Sequence, residues 1–521
     1  METEKKLLKA MGVISLATLA SRILGFVRDI VIASMFGTGM AADAFFVAFR
    51  IPNLFRRVAG EGSLNASFIP IFTEYLNKRS KKDAWSLASN TLCVATVFLF
   101  ILCVLGIIFS PALTRMTASG FSKFPAKEQL TILLTRVTFP YLFFICLVAF
   151  AMGILNSLHH FAAPAAAPIM LNLSIIGAAY FIAPRLDQPV VALAIGVTLG
   201  GLLELLLQLP FLKREKMEFT PHIDFQDDGL RRIGRLMLPA VIGGSAYEIN
   251  NLIDMLMASY LPEGSVSYLY YGNRLVQFPL GIFGTALGTA LLPMLSHHAA
   301  REEFDRLKDT FSFSLRNVLY VCIPAMVGLI VMSEPIVRLL FERGHFDRQA
   351  TIGTTDALIF YSLGLWAYAG VRIVIAVFHS LQDTVTPVKI SICAMGINVI
   401  LNWILMRYLL HAGLALATSI SSILNIIVLT AILRKRLGKI GGKKIFNSLL
   451  RTSLASVLMG AACWISLHYA NLSAWRSKPM QMGFLCLVII AATTFYIYLT
   501  HLFACEEFQY FSKLIRDRAK R

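Results

Sequence analysis

Residues 86–110 read SLASNTLCVATVFLFILCVLGIIFS, an apolar run without a single charged side chain. About 20 such residues cross the hydrocarbon core as a helix, because backbone polar groups in lipid must bond internally. Similar runs recur along the whole 521-residue chain, which is 57% hydrophobic and only 15% charged. Soluble domains carry about 25% charged residues, so the composition excludes a soluble enzyme. The sequence predicts an all-α polytopic membrane protein.

About fourteen transmembrane helices are predicted from the spacing of these runs. Their approximate cores are 10–35, 41–60, 86–110, 131–158, 165–184, 189–211, 235–260, 266–295, 312–333, 354–379, 387–408, 413–433, 448–470 and 481–503. The even number of spans places both chain ends on the same side of the membrane.

The chain also contains an internal repeat, because several residue pairs keep one offset of 223 to 225 positions. The pairs are Ala33-Ser34 with Ala258-Ser259, Arg50 with Arg274, Pro70 with Pro293, Ser157 with Ser380 and Pro164 with Pro387. Six spans fit in one period, so both halves have the same orientation, as in transporters built from parallel repeats. The predicted domains are a six-helix lobe over 1–222, a pseudo-symmetric six-helix lobe over 223–440, and two additional helices with a cytoplasmic tail over 441–521.

The net charge of +18 is concentrated in alternate loops. Lysines and arginines cluster at 78–82, 213–216, 231–235, 301–308, 434–444 and 513–521, whereas 37–40 and 259–265 have none. This positive-inside pattern predicts a multi-pass protein of the bacterial inner membrane with both termini in the cytoplasm. It also argues against a nucleic-acid partner, since the basic residues form no single binding face. The eight cysteines show no CxxC or metal-ligand spacing, so no disulfide framework or zinc site is expected.

Basic residues inside the first two spans of each half are the main functional signal. Each costs about 2.5–3.5 kcal/mol at mid-bilayer on insertion scales, so function is the usual reason for keeping one. The first span contains Arg22, Arg28 and Asp29. The second span and its repeat partner contribute Asp43, Arg50, Asn53, Arg56, Arg57, Asn273, Arg274 and Gln277. Because guanidinium binds phosphate oxygens bidentately and keeps its charge when desolvated, the set predicts an anionic substrate group, with a phosphate or pyrophosphate first.

Two structural interpretations compete with substrate binding. In the first, Arg22 pairs with Asp29 or Asp43 and holds helices together, since buried ion pairs are often structural. In the second, Arg57 only reaches from a span end into the cytoplasmic interface.

A weaker signal comes from three polar residues in later spans. Asp254, Asn398 and Asn402 could form an oxygen-rich Na⁺ or proton site. Hydrogen bonding between helices is the commoner use of such residues and is the favoured interpretation.

Catalytic motifs are missing from the sequence. It contains no GxSxG, no HExxH, no Walker A motif and no pair of interfacial acids, so neither an enzyme nor a nucleotide-powered pump is expected. No cofactor is expected, and transport would draw on the membrane potential or an ion gradient.

Several motifs resemble those of the MurJ/MviN lipid II flippases, a family of the multidrug/oligosaccharidyl-lipid/polysaccharide exporter superfamily. They are SRILGFVRD (21–29), GTGMAADAFFVAFRIPNLFRR (37–57), YYGNRLVQFPLG (270–281), GTALLPMLS (288–296) and QDTVTPVK (382–389). The resemblance covers essentially the whole chain.

The resemblance implies two six-helix lobes around a cationic cavity, with two extra helices forming a groove for a lipid tail. It implies export of lipid II, the undecaprenyl-pyrophosphate-linked disaccharide-pentapeptide, with dependence on the membrane potential. Membrane lipids and cell-wall synthesis enzymes are the other partners it suggests. Family cavity residues match Arg22, Arg28, Asp43, Arg56, Ser267 and Arg274. Some relatives have acids where this chain has Asn273 and Gln277, so a carboxylate role there does not carry over.

The main rival on the same fold is a cation-coupled exporter of small drugs. Such a pump would need an acidic, aromatic-lined cavity, whereas this set is rich in arginine. A scaffold without transport would not need desolvated arginines, and a membrane-embedded transferase would need the interfacial acids that are missing.

Overall fold

The computed structural model describes residues 2–57, 64–281, 285–470 and 477–510. Within these ranges the chain folds into helices and contains no strand. The predicted all-α membrane fold is therefore confirmed. The predicted cytoplasmic tail beyond residue 510 lies outside the described residues.

The first half begins with a long helix and continues through eight more. They are α1 (Glu2–Phe36), α2 (Met40–Phe55), α3 (Asn65–Lys78), α4 (Lys81–Ile108), α5 (Ser110–Ala118), α6 (Pro125–Thr138), α7 (Pro140–Ser157), α8 (Ala162–Gly177) and α9 (Val191–Arg214). A short π-helical turn and a 3₁₀ turn extend α8 to Arg185.

The second half follows the same order. Its helices are α10 (Asp228–Ser259), α11 (Ser265–Pro279), α12 (Thr285–Ala300), α13 (Phe304–Val331), α14 (Ser333–Phe341), α15 (Arg348–Ser362), α16 (Leu365–Ser380) and α17 (Val385–Leu437). Two more helices complete the described chain, α18 (Gly442–Ala470) and α19 (Lys478–Leu502). Leu410, with φ of +51°, breaks α17 into two helical arms, 385–409 and 411–437.

The repeat seen in the sequence extends to the helix bounds. α4 begins at Lys81 and α13 at Phe304, and α5 begins at Ser110 and α14 at Ser333, so both pairs are 223 residues apart. The two members of the second pair are equally long, at 9 residues each. The order of long and short helices is thus duplicated along with individual residues.

Capping groups and prolines explain where several helices begin. Ser80 and Asp83 form a reciprocal capping box at α4, in which the Ser80 hydroxyl accepts from the Asp83 N–H at 3.1 Å. Asp227 accepts from the Leu230 N–H at 2.8 Å and starts α10. Proline occupies the first turn of α5, α6, α7 and α19, where its missing N–H costs no hydrogen bond.

Nine helices or joined helices among the described residues are long and apolar enough to span a membrane. They contain ten of the predicted spans, because α17 holds both 387–408 and 413–433. The described parts of the predicted spans 10–35, 41–60, 235–260 and 266–295 fall on α1, α2, α10 and the α11–α12 pair, which carry the charged and polar residues. Residues 58–60 and 282–284 of these spans lie outside the described residues. The count of fourteen remains a prediction.

The chain divides into two compact units. The first consists of Met1–Val266 with Arg343–Phe346, and the second of Ser267–Glu342 with Asp347–Arg521. The first unit thus includes α10, which the repeat assigns to the second half, because α10 packs on α3, α4 and α5. The three domains predicted in the sequence analysis are defined by the sequence repeat and not by packing, so they remain a prediction.

Each unit has its own buried core. In the first, the rings of Phe68, Phe72 and Phe150 pack together, with centroids 4.4 Å apart for Phe68 and Phe150. In the second, the Tyr496 hydroxyl donates to the Tyr320 carbonyl at 2.7 Å, which attaches α19 to α13. The two additional helices are therefore packed against the second repeat.

Candidate functional site

Arg28 is a buried arginine in the C-terminal third of α1, with only 9% of its surface exposed. Its Nε and Nη2 both donate to Oδ1 of Asp29, at 3.0 and 2.6 Å. Its Nη1 donates to Oδ1 of Asn172 in α8, at 3.2 Å. The neighbouring acid and a neutral amide thus fix the plane of the guanidinium group and keep the cation paired at its buried position.

Arg22 also lies on α1 but its side chain is exposed. The six-residue separation from Arg28 corresponds to about 9 Å along a helix axis. In this structure Asp29 bonds to Arg28 and Asp43 bonds to Lys127. The pairing of Arg22 with either acid stays a prediction.

The end of α2 carries two of the predicted residues in direct contact. Nε of Arg56 donates to Oδ1 of Asn53 at 2.9 Å, and both side chains are half-buried. Asn53 therefore orients this guanidinium as Asp29 and Asn172 orient that of Arg28. Arg57 instead contacts another helix: its Nη1 lies 3.1 Å from Oε1 of the buried Glu248 in α10.

Asp43 lies in the first turn of α2 and is 1% exposed. Its Oδ2 accepts from Nζ of Lys127 in α6 at 2.7 Å and from the N–H of Gly264 at 2.9 Å. Lys127 is 5% exposed, and its ammonium lies 4.1 Å from the centre of the Phe121 ring. The sequence analysis did not single out Lys127, because a lysine at a span end usually reaches into the interface.

The second unit contains the remaining predicted substrate residues, all on α11. Ser267 is fully buried in its first turn, and Arg274 is half-buried. The Gln277 amide donates to the Asn273 amide oxygen at 3.5 Å. The spacing of four residues places these two amides on one face of the helix.

The weak cation-site candidates form amide contacts. In α17 the Asn402 amide donates to the Asn398 oxygen at 3.0 Å, and the Asn398 amide reaches Oγ1 of Thr418 in the other arm at 3.5 Å. In α10 the Asn250 amide lies 3.4 Å from Oδ2 of Asp254. Among the described residues, no group of three His, Cys, Asp or Glu side chains has the arrangement of a metal site.

Asn172 is the second residue that the sequence analysis missed. It is one of only two strongly polar positions in the predicted span 165–184, the other being Ser174. An amide at such a position is the signal that could have found it, since polar groups in spans usually bond to a neighbouring helix.

Comparison with known proteins identifies the family. Residues 32–482 match the family model described as lipid II flippase MurJ. A probable lipid II flippase MurJ of Vibrio cholerae is 41% identical over 437 residues, covering 82% of this chain and 82% of that protein. A lipid II flippase MurJ of Burkholderia cenocepacia is 34% identical over 499 residues, covering 94% and 96%.

Solved structures agree with this assignment. A lipid II flippase MurJ in an inward closed conformation superposes with a TM-score of 0.78 at 26% identity, covering 94% of this chain and 98% of that one. An inward-facing multidrug resistance MATE family transporter of the MOP superfamily gives a TM-score of 0.68 at 15% identity, covering 83% and 98%. The second match shows the shared fold alone. The chain belongs to the lipid II flippase MurJ family, a family of membrane transporters and not of enzymes.

Proposed function

We propose that this protein moves lipid II from the inner to the outer leaflet of the bacterial cytoplasmic membrane by alternating access. The observation that carries the proposal is the buried, oriented guanidinium of Arg28 in α1. Arginine stays charged when removed from water and presents a planar fork to phosphate oxygens. The undecaprenyl pyrophosphate of lipid II supplies the matching anion, and the curated relatives carry the name of lipid II flippases.

Two further arginines in the first unit support an anionic substrate. Arg22 is exposed on the same helix, and Arg56 is held by Asn53 at the end of α2. In the second unit Arg274 occupies the position that repeats Arg50. In the proposal Arg22, Arg28 and Arg274 bind the pyrophosphate, and the undecaprenyl tail stays in lipid along α18 and α19. Arg57 is left out, because its contact with Glu248 gives it a structural role.

Alternating access is supported by a pair of repeated contacts at the side predicted to face outward. The N–H of Gly120 donates to Oγ of Ser259 at the end of α10, at 3.0 Å. The N–H of His345, next to Gly344, donates to the carbonyl of Ser34 near the end of α1, at 2.8 Å. Ser34 and Ser259 are repeat partners, and the two glycines are 224 residues apart. In each case a glycine-containing loop of one repeat contacts the end of the first helix of the other repeat.

Both glycines are required by these contacts. A side-chain carbon on Gly120 would overlap the Ser259 carbonyl, and one on Gly344 would overlap the Ser34 carbonyl. Gly344 also has φ of +57°, a conformation that disfavours other residues. In the proposal these two loops are an outward gate that is closed in this conformation and separates during release.

The energy source belongs to the same proposal. Transport is driven by the membrane potential or an ion gradient, and Asp254, Asn398 and Asn402 are the candidate residues for a coupling cation. Collapse of the potential with an ionophore would then stop flipping while the amount of protein stays constant.

The first experiment measures which leaflet contains lipid II in bacteria depleted of this protein. A membrane-impermeant enzyme that cleaves the lipid-linked precursor is added from outside. Under the proposal, cleavage falls on depletion while total precursor rises. Wild-type protein restores cleavage and Arg28→Ala does not. The matched control is Arg115→Ala, which changes an exposed arginine of α5 that pairs with Glu128.

Unchanged cleavage in depleted cells with no other flippase present would remove lipid II as the substrate. A cation-coupled exporter of small molecules would then become the leading function. Normal cleavage with Arg28→Ala would remove Arg28 from the mechanism but leave the substrate in place.

A further inference from the structure

Asn172 lies in α8 at the contact between α8 and α1, and it is 5% exposed. Its amide group both accepts and donates hydrogen bonds. Oδ1 accepts from Nη1 of Arg28 at 3.2 Å. Nδ2 donates to the carbonyl of Ser21 at 3.2 Å and to the carbonyl of Pro168 at 2.9 Å. One neutral side chain thus contacts α1 at two levels and holds the functional arginine at one of them.

Helix geometry explains how one amide reaches both levels. Ser21 and Arg28 are seven residues apart, about 10 Å along a helix axis. Side chains of an α-helix point back toward its N-terminus, so the long Arg28 side chain extends toward the level of Ser21. Asn172 stands beside this stretch and bridges the guanidinium and the carbonyl.

The two carbonyl contacts determine which way the amide points. Only the NH₂ side of an amide can donate, so bonds to Ser21 and Pro168 direct the amide oxygen toward Arg28. Asp29 already holds the Nε and Nη2 edge of the guanidinium. The contact at Nη1 holds the other edge, so both edges of the guanidinium have a protein partner.

The chemical type of the partner also matters. Asp29 brings one negative charge to Arg28, and a second carboxylate at position 172 would make the local charge negative. A pyrophosphate would then be repelled. An amide orients the guanidinium without adding charge, so the Arg28–Asp29 pair stays neutral overall and no net negative charge repels an anionic group.

We propose that Asn172 is a positioning residue that sets the orientation of the Arg28 guanidinium for the pyrophosphate of the substrate. This inference rests on the proposed function, in which Arg28 binds that group. The competing interpretation is that Asn172 only joins α8 to α1, as polar residues often do between membrane helices.

The test is a double-mutant cycle on the purified full-length protein, with undecaprenyl pyrophosphate as the probe and affinity as the readout. Asn172→Ala is expected to weaken binding about tenfold, the effect of losing a hydrogen bond to a charged group. In an Arg28→Ala background the same change should have no further effect, because positioning acts through Arg28. The control is Ser174→Ala on the same helix, whose hydroxyl bonds to the Gly196 carbonyl at 2.7 Å and not to Arg28.

Asn172→Ser is the second variant and keeps the test valid if Asn172→Ala does not fold. A serine hydroxyl can still donate to the Pro168 carbonyl one turn earlier in α8, but it is too short to hold Nη1 of Arg28, so the thermal stability of this variant should lie between those of Asn172→Ala and the wild type. Its affinity for undecaprenyl pyrophosphate should nevertheless fall about tenfold.

Three outcomes are decisive against the inference. Wild-type affinity in both variants at position 172 overturns it. An equal loss with and without Arg28 shows a structural role and also overturns it. Wild-type affinity in Arg28→Ala itself removes both the inference and the substrate-binding role of Arg28, whereas the first two outcomes leave that role intact.

Discussion

The ammonium group of Lys127 lies 2.7 Å from Oδ2 of Asp43, and both side chains are almost fully buried. The two residues are on different helices, α6 and α2, and are 84 positions apart in the chain. Asp43 also accepts from the N–H of Gly264 in the loop between α10 and α11. One carboxylate therefore links three segments at the side predicted to face outward.

Replacing Lys127 by methionine is expected to destabilise the protein strongly. Removal of one partner from a buried ion pair costs about 3–5 kcal/mol, because the other charge stays buried without its counter-ion. Thermal unfolding of the purified protein measures the loss. The double variant Asp43→Asn with Lys127→Met should recover a large part of it, since neither charge is then buried.

The matched control for this prediction is Lys123→Met. Lys123 is an exposed lysine four positions earlier, and its ammonium lies 5.8 Å from the Tyr260 ring centre. Its loss should change stability by less than about 1 kcal/mol, as for most surface substitutions. A Lys127→Met protein as stable as the Lys123→Met control would show that the pair contributes nothing.

A methyl group on Gly344 or Gly120 is expected to open the outward contacts. Each alanine would overlap a serine carbonyl, of Ser34 or Ser259, so the closed arrangement becomes less stable. The measurement is labelling of a single cysteine at Ser34 or Ser259 by a membrane-impermeant thiol reagent added from outside. A cysteine at Ser34 should be labelled several-fold more in Gly120→Ala, and a cysteine at Ser259 several-fold more in Gly344→Ala. In each case the alanine disrupts the contact that does not involve the labelled position.

Gly234→Ala in α10 serves as the control, because a side-chain carbon there would meet no atom within 4 Å. It should leave labelling unchanged. If all three alanine variants label alike, the glycine loops do not hold the gate closed.

The sequence was sufficient to predict the all-helical membrane class, because apolar runs and the charge difference between loops are local properties of the chain. It also located Arg28, since a charge inside a span is visible without any partner. The partners Lys127 and Asn172 were not predictable in the same way. They lie 84 and 144 positions from the residues they bond, and periodicity indicates the face of a helix but not which helix packs against it.

The family motifs show the same limit. Asp383 stands in the QDTVTPVK motif, where its role cannot be read from the sequence. In the structure it bonds to Thr386 at the start of α17 and to Arg436 near the end of that helix. A residue inside a family motif can therefore contact the two ends of the helix that follows it, which the motif alone does not reveal.

Arg28→Lys is expected to abolish most transport although the charge is retained. The ammonium of lysine is a point charge and cannot make the planar contacts of the guanidinium with Asp29 and Asn172 together. Rescue of depleted cells in the leaflet-accessibility assay should fall at least about tenfold, as expected when a charged hydrogen bond is lost.

Arg57→Lys is the comparison for that variant. Nη1 of Arg57 contacts Glu248, and the Arg57 side chain is 43% exposed, so a lysine can replace it at this contact. Transport should remain near the wild-type level. Equal activity of Arg28→Lys and Arg57→Lys would mean that only the charge of Arg28 matters and that its orientation does not.

Asp383 gives a stability prediction with a defined pH dependence. The N–H and hydroxyl of Thr386, together with the Arg436 guanidinium, lower the pKa of Asp383 below its usual value. A carboxylate with a lowered pKa stabilises the folded state above its unfolded pKa of about 3.9, and this contribution is lost as the pH falls through the folded pKa. Asp383→Ala should cost about 1 kcal/mol near neutral pH, through loss of the bonds that the carboxylate accepts from the N–H and hydroxyl of Thr386. Asp383→Asn keeps an acceptor for the Thr386 N–H and loses the charge, so thermal unfolding should show a smaller deficit that shrinks as the wild-type carboxylate is protonated. A deficit of Asp383→Asn that is constant down to the acid limit would show that the ion pair with Arg436 does not stabilise the fold.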